Sequence, residues 1–146
     1  MANQQGNFGF RPVLMLGSAY QGQGQQQMTI ASNETNSIFM GDPVVLNANG
    51  SISRGSAAGA ELVGVFNGCF YTDPTSQKPT FSNHYPGAIV ADDIVANVIT
   101  DPDVVFEVKC DDSNAGRAQV GSTANIATYA AGSTKSGISG VSIDGS

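Results

Sequence analysis

Few side chains in this sequence are of the kinds that do chemistry, and their spacing limits what that chemistry could be. The one histidine, His84, stands in Asn83-His84-Tyr85-Pro86. A histidine acting as a general base needs a nucleophile or a carboxylate beside it. No Gly-x-Ser-x-Gly elbow accompanies it, so a hydrolase triad lacks its sequence marker. Prolines on either side make the stretch a loop, and a surface or loop-packing histidine is the ordinary outcome there. Zinc needs more ligands than one histidine and the distant Cys69 and Cys110 supply, and there is no Cys-x-x-Cys.

Acidic pairs invite a calcium reading: Asp92-Asp93, Asp101 with Asp103, and Asp111-Asp112. A loop of the EF type needs alternate carboxylates, then a glycine, then a glutamate, and Asp101-x-Asp103 has neither of the last two. Aspartates in turns bond their own backbone, which accounts for these positions without a metal. Gly22-Gln23-Gly24 is no phosphate cradle, because Gln27 stands where a third glycine belongs and no Lys-Ser/Thr follows. Cys69 and Cys110 could bridge if their strands are neighbours, whereas a reducing cytosol favours buried free thiols. No nucleophile stands out, so the sequence reads as non-enzymatic, with neither cofactor nor metal.

The elements that would position these residues are strands. Eighteen glycines and six prolines interrupt almost every window a helix could use. Short runs of Val, Ile and Phe recur between turn residues, the pattern of a sandwich or barrel. A chain of 146 residues is of one-domain length and can bury roughly two thirds of its unfolded surface. Charged residues are only 12%, about half the usual share, and the net charge is -6. Six Lys plus Arg argue against nucleic-acid binding, which needs phosphate contacts. Apolar runs such as Val44-Val45-Leu46 are far short of the roughly 20 residues that span a bilayer. Met1 to Phe10 is not a secretory signal, so assembly in the cytosol is expected.

Two parts are expected: an N-terminal arm over 1–33, holding a first strand and a Gln-rich loop, and a β domain over 34–146. Arg11 to Leu16 reads as the strand, with Pro12 confining it to an edge. Gln21 to Gln27 has no apolar face and reads as extended arm or mobile loop. Short strands are expected at Ser37–Met40, Pro43–Asn47 and Ser51–Arg54, the last two joined through Asn49-Gly50 as a type I′ hairpin. Leu62–Phe66 reads as a buried strand, broken by a bulge or tight turn at Asn67-Gly68 before Cys69–Tyr71. Three prolines in 73–87 predict a long irregular excursion, pinned to the body by Phe81 and Tyr85. Ile94–Ile99 and Val104–Lys109 read as a second hairpin. Beyond residue 110 the chain is small and polar, and it ends without a closing apolar strand. The unclosed sheet predicts exposed strand edges that a neighbouring copy would cover.

Asn7-Phe8-Gly9-Phe10-Arg11-Pro12-Val13 resembles the opening of a family of structural proteins from tailed bacteriophages, especially those of marine hosts. Gly41-Asp42-Pro43-Val44-Val45-Leu46, Val63-Gly64-Val65-Phe66, Gly68-Cys69-Phe70-Tyr71-Thr72 and Asp101-Pro102-Asp103-Val104-Val105-Phe106-Glu107-Val108 continue the likeness. The Gly-Asp-Pro-Val-Val-Leu hairpin with Val-Gly-Val also looks like the small β-barrel, or β-tulip, of phage head decoration proteins. The resemblance implies a capsid cement role: a homo-oligomer, by analogy a trimer, on the exterior of the virion, bound to the major capsid protein. A head fibre or a tail module that binds host glycans is the alternative. Phe8, Phe10, Arg11 and Pro12 are the candidate capsid-binding residues, being aromatic and cationic groups in an otherwise Asn/Gln/Gly segment. A carboxylate on the partner is the expected mate of Arg11, the only charged side chain among the first 33 residues. The alternative for this segment is that it caps its own domain as a first strand.

Overall fold

A computed structural model describes residues 6–17, 24–55, 61–111 and 116–145. The strands are β1 (Arg11–Met15), β2 (Gln25–Ile30), β3 (Ile38–Phe39), β4 (Pro43–Leu46), β5 (Ser51–Arg54) and β6 (Leu62–Thr72). They continue with β7 (Pro79–Ser82), β8 (His84–Tyr85), β9 (Val95–Ile99), β10 (Val104–Glu107), β11 (Ile126–Thr128) and β12 (Ser142–Ile143). Among the described residues the helical content is one short 3-10 turn at Arg117–Gln119. The fold is all-β, as the glycine and proline content implies.

The strands close into a five-stranded barrel in the order β4-β5-β2-β9-β6, and β6 returns to β4. Of these pairings only β2 with β5 is parallel. Alternate side chains point inward. Ile30, Val44, Ile52, Phe66, Ala96 and Val98 therefore fill the interior and are all buried. Burying an aliphatic side chain of this size stabilises by about 1.5–3 kcal/mol. Closure corrects the expectation of an unfinished sheet, because β4 and β6 complete the ring without any strand from the C-terminal segment. That segment docks instead beside β3. Met40 and Ile138 form a parallel bridge, and Val141 is buried.

The bulge expected at Asn67-Gly68 is present. The β6–β9 register shifts between Phe66 and Cys69, and Gly68 has φ +114°. One extra residue turns Cys69 and Tyr71 into the core and leaves Phe70 outside. The Asn49-Gly50 hairpin also forms, but with a different turn. Gly50 is left-handed at φ +80° while Asn49 is not, so the loop is not type I′. The Asn49 Oδ1 accepts from the Ser51 N–H at 3.1 Å, which fixes Asn49 in a turn of its own.

Three expectations are corrected. Gln25–Gln27 is not loop: it pairs with Asn97–Ile99 at the start of β2, with Gln21–Gln23 outside the described residues. Ladder bonds come from the backbone, so these glutamines stay exposed while Met28 and Ile30 supply the burial. The segment 1–33 is thus no separate arm, since β2 is an interior strand of the barrel. The excursion 73–87 holds two strands, β7 on β6 and β8 on β3. Pro79 opens β7 at the sheet's edge, where a missing N–H costs no ladder bond. Tyr85 is buried as expected, donating to the Glu34 carbonyl at 3.0 Å, whereas Phe81 is exposed. Finally, β9 and β10 are not a hairpin. Both edges of β9 are taken by β2 and β6, so β10 leaves the barrel and pairs with β1.

Candidate functional site

The β1–β10 ribbon lies over the outer face of the barrel. Val65, Ile99 and Val104 form a second buried cluster there, with Phe10, Met15 and Phe106 packed against it. The chain reaches this position through Gly9. Its φ is +66°, and a Cβ would sit 2.5 Å from the Gly41 carbonyl oxygen and from Ser139 Cβ. Only glycine passes so close to the Gly41 backbone and the Ser139 side chain. The Phe10 N–H then donates to the Gly41 carbonyl at 2.9 Å.

The structure brings Phe8, Phe10, Arg11 and Pro12 together, around a depression of about 300 Å³ also bounded by Val65 and Ile138. Phe10 meets the Phe106 ring edge-on at 6.1 Å. The Arg11 guanidinium lies 5.1 Å from the Phe8 ring centre, and the same group pairs with Glu107. The mate of Arg11 is therefore in its own chain, which corrects the expectation of a partner's carboxylate. Phe8, Phe10 and Pro12 are half-buried against their own barrel, so the segment caps its own domain. The local sequence could not show this, because the covering residues Phe106 and Glu107 are about a hundred positions away.

What that reading passed over is the remainder of β1. Val13, Leu14 and Leu16 are 51%, 52% and 58% exposed. The signal was present in the unbroken run Pro12-Val13-Leu14-Met15-Leu16. A run without polar alternation, on a strand that Pro12 confines to an edge, has one apolar face that its own sheet cannot bury.

The groups singled out for chemistry have structural duties. His84 stacks on Phe39 at 5.6 Å, and its Nδ1 lies 3.2 Å from Asn83 Oδ1 and 3.5 Å from Ser82 Oγ. A triad's acid is not among those neighbours. Burial pushes the Cys69 thiol up to about 12, so it is held as a neutral thiol. Both cysteines are free. Asp101 accepts from the Asp103 N–H at 2.8 Å, and Asp93 accepts from the Thr72 hydroxyl at 2.6 Å. Among the described residues no three of His, Cys, Asp and Glu gather as a metal site.

Among the described residues the most buried ionic group is Asp42. It accepts from the Phe39 N–H at 2.9 Å and the Ser139 hydroxyl at 2.5 Å, and Arg54 Nε lies 3.1 Å away. Arg54 Nη2 reaches the Tyr129 and Ala130 carbonyls. Burial raises the Asp42 carboxyl above the ordinary aspartate value, outweighing Ser139, the Phe39 amide and Arg54. The cluster ties β4, β5 and the C-terminal segment together. Comparison with family models, curated proteins and solved structures gave no match.

Proposed function

We propose that this chain is a non-enzymatic virion structural protein that decorates and stabilises the capsid of a tailed phage by bridging major capsid subunits. The observation that supports a docking role is the free edge of β1. Among the described residues it pairs on one side only, with β10, and it carries the exposed Val13, Leu14 and Leu16. Such an edge offers unpaired backbone groups and apolar side chains together, which is what strand addition by a partner uses. The capsid-facing residues are then Val13, Leu14 and Leu16, while Phe8, Phe10, Arg11 and Pro12 hold β1 in place beneath them. The phage resemblance of residues 7–13 falls on this same segment.

The site on the capsid would exist only after head expansion, so binding adds its free energy to the mature shell alone. The protein would sit on the capsid exterior, assembled in the host cytoplasm. A homo-oligomer, by analogy a trimer at local three-fold positions, is part of this reading. With the barrel closed, that assembly rests on the analogy and on the β1 edge.

Purified protein is mixed with expanded and with unexpanded shells and each mixture is sedimented. The wild type should pellet with expanded shells alone, and the double variant Val13→Glu, Leu14→Glu should stay in the supernatant while retaining its circular dichroism. Equal binding to both shells, or to neither, sinks the cement reading. Retention by the folded double variant sinks the assignment to β1.

A further inference from the structure

Further along the outer face of the barrel, beyond the part that the ribbon covers at Ile99, β7, β6, β9 and β2 run side by side. Phe81 stands opposite Phe70 and Phe70 opposite Val95, so the three form one row across the strands. Two positions along β9, on the same face, Asn97 stands opposite Gln27. These five side chains line a shallow cleft of about 270 Å³. The two rings are 4.8 Å apart and tilted by 49°, and Phe81 is 82% exposed. We infer that this cleft is a binding site for a neutral saccharide, with Phe81 and Phe70 as the stacking platform and Asn97 and Gln27 as the hydroxyl readers.

The lining selects the ligand class. None of the five residues is charged, so an ionic ligand finds no counter-charge. A purely apolar partner would strand two carboxamides against a dry surface, and an unsatisfied buried amide costs about 1–3 kcal/mol. A nucleobase would stack, but its phosphates would meet a chain of net charge -6. A pyranose ring has what the cleft complements: a face of C–H groups for the aromatic rings and a rim of hydroxyls. Each carboxamide both donates and accepts, as a hydroxyl pair requires. The volume accommodates about one sugar ring, below the usual range for drug-sized ligands. The bulge at Asn67-Gly68 builds the site, since without the extra residue Phe70 would face the core. This inference goes beyond the capsid reading and stands without it, because the cleft and the β1 edge share no residue.

Saturation-transfer NMR on the full chain with maltohexaose, cellohexaose, chitohexaose, mannohexaose and xylohexaose tests it. At least one should receive saturation. Phe81→Ala should weaken that binding at least tenfold, and Asn97→Ala and Gln27→Ala should each weaken it severalfold. Phe81 is solvent-exposed on an edge strand, so its variant is expected to fold, and an unchanged melting curve checks this. No transfer to any of the five sugars, or transfer that survives Phe81→Ala, overturns the site. Binding that depends on Phe81 but is indifferent to both carboxamides overturns the role given to Asn97 and Gln27. A Phe81-dependent shift in sedimentation coefficient with no sugar binding assigns the rings to an interface between copies, and also overturns it.

Discussion

Arg11 and Glu107 face one another across the β1–β10 pair, with the Arg11 side chain 61% and the Glu107 side chain 50% exposed. Exposed pairs of this kind contribute about 0.2–1 kcal/mol, and the cation over Phe8 adds about 0.5–1 kcal/mol. The work of holding β1 down falls instead to the neighbouring Phe10, seated on Phe106. Arg11→Ala should therefore cost about 1 kcal/mol, and Phe10→Ala about 2–3 kcal/mol, below the value for a fully buried phenylalanine. Urea midpoints at constant m-value measure both. An Arg11→Ala cost exceeding that of Phe10→Ala would show that the ion pair, not the aromatic seat, fixes the ribbon.

Gly9 and Gly50 separate two reasons for keeping a glycine. Both are left-handed, at φ +66° and +80°, but a Cβ at Gly50 meets nothing within 4 Å while one at Gly9 meets two atoms at 2.5 Å. Gly50→Ala should show the conformational penalty alone, about 1–2 kcal/mol. Gly9→Ala should cost clearly more and should speed amide exchange in β1, whose docking depends on that crossing. Thermal melts and hydrogen exchange read the two effects. Equal costs would mean that the Gly41 backbone and the Ser139 side chain give way.

These contrasts also mark what could be read from the sequence. The position of the turn at Asn49-Gly50, though not its type, and the bulge at Asn67-Gly68 were legible because each is set by two or three adjacent residues. Which strand β10 would join was not, because that choice depends on β2 having already taken the free edge of β9. Gln25–Gln27 reads as loop in the sequence because side chains carry the apolar signal while the ladder bonds belong to the backbone. Phe8, Phe10, Arg11 and Pro12 stand out as candidate binding residues because aromatics in a polar segment need a cover. That the cover is Phe106 and Glu107 of the same chain is a long-range fact. The Phe70–Phe81 platform was missed for the same reason, because its two rings meet only through the pairing of β6 with β7.

Asp42 and Arg54 make a prediction about pH. Burial raises the Asp42 carboxyl above its ordinary value. The folded state then holds that proton more tightly than the unfolded state. Asp42 should consequently erode stability as pH rises from the ordinary aspartate range through its raised folded value. Asp73 and Asp93 have the opposite sign. Hydrogen bonds from the Thr75 amide and from Thr72 lower them, so their contribution is present above the ordinary range and is lost on acidification. Asp42→Asn should remove the first component and leave the acid-side loss in place. Arg54→Met should cost about 3–5 kcal/mol at neutral pH, because it leaves a buried carboxylate without its cation. Urea titrations from pH 3 to pH 8 follow both variants. A wild-type curve whose pH slope is unchanged by Asp42→Asn would contradict the raised value.

The two thiols should differ in reactivity. Thiolate is the attacking species, and burial holds the Cys69 thiol neutral up to about 12. Its sulfur lies 3.6 Å from the His84 carbonyl, inside the barrel core with Phe66 and Ala96. Cys110 is half-buried, bridged to Ile143 at the edge of the small C-terminal ribbon. At pH 8 an aromatic disulfide reagent should therefore label Cys110 within minutes and leave Cys69 untouched until the barrel opens. The labelling rate of Cys69 should rise with urea in step with the loss of circular dichroism, whereas that of Cys110 should already be high below the transition. Cys110→Ser should abolish the fast phase without moving the slow one. If Cys69 reacts as fast as Cys110 in the native protein, the barrel wall at β6 and β9 opens locally and the barrel is not the unit that protects it.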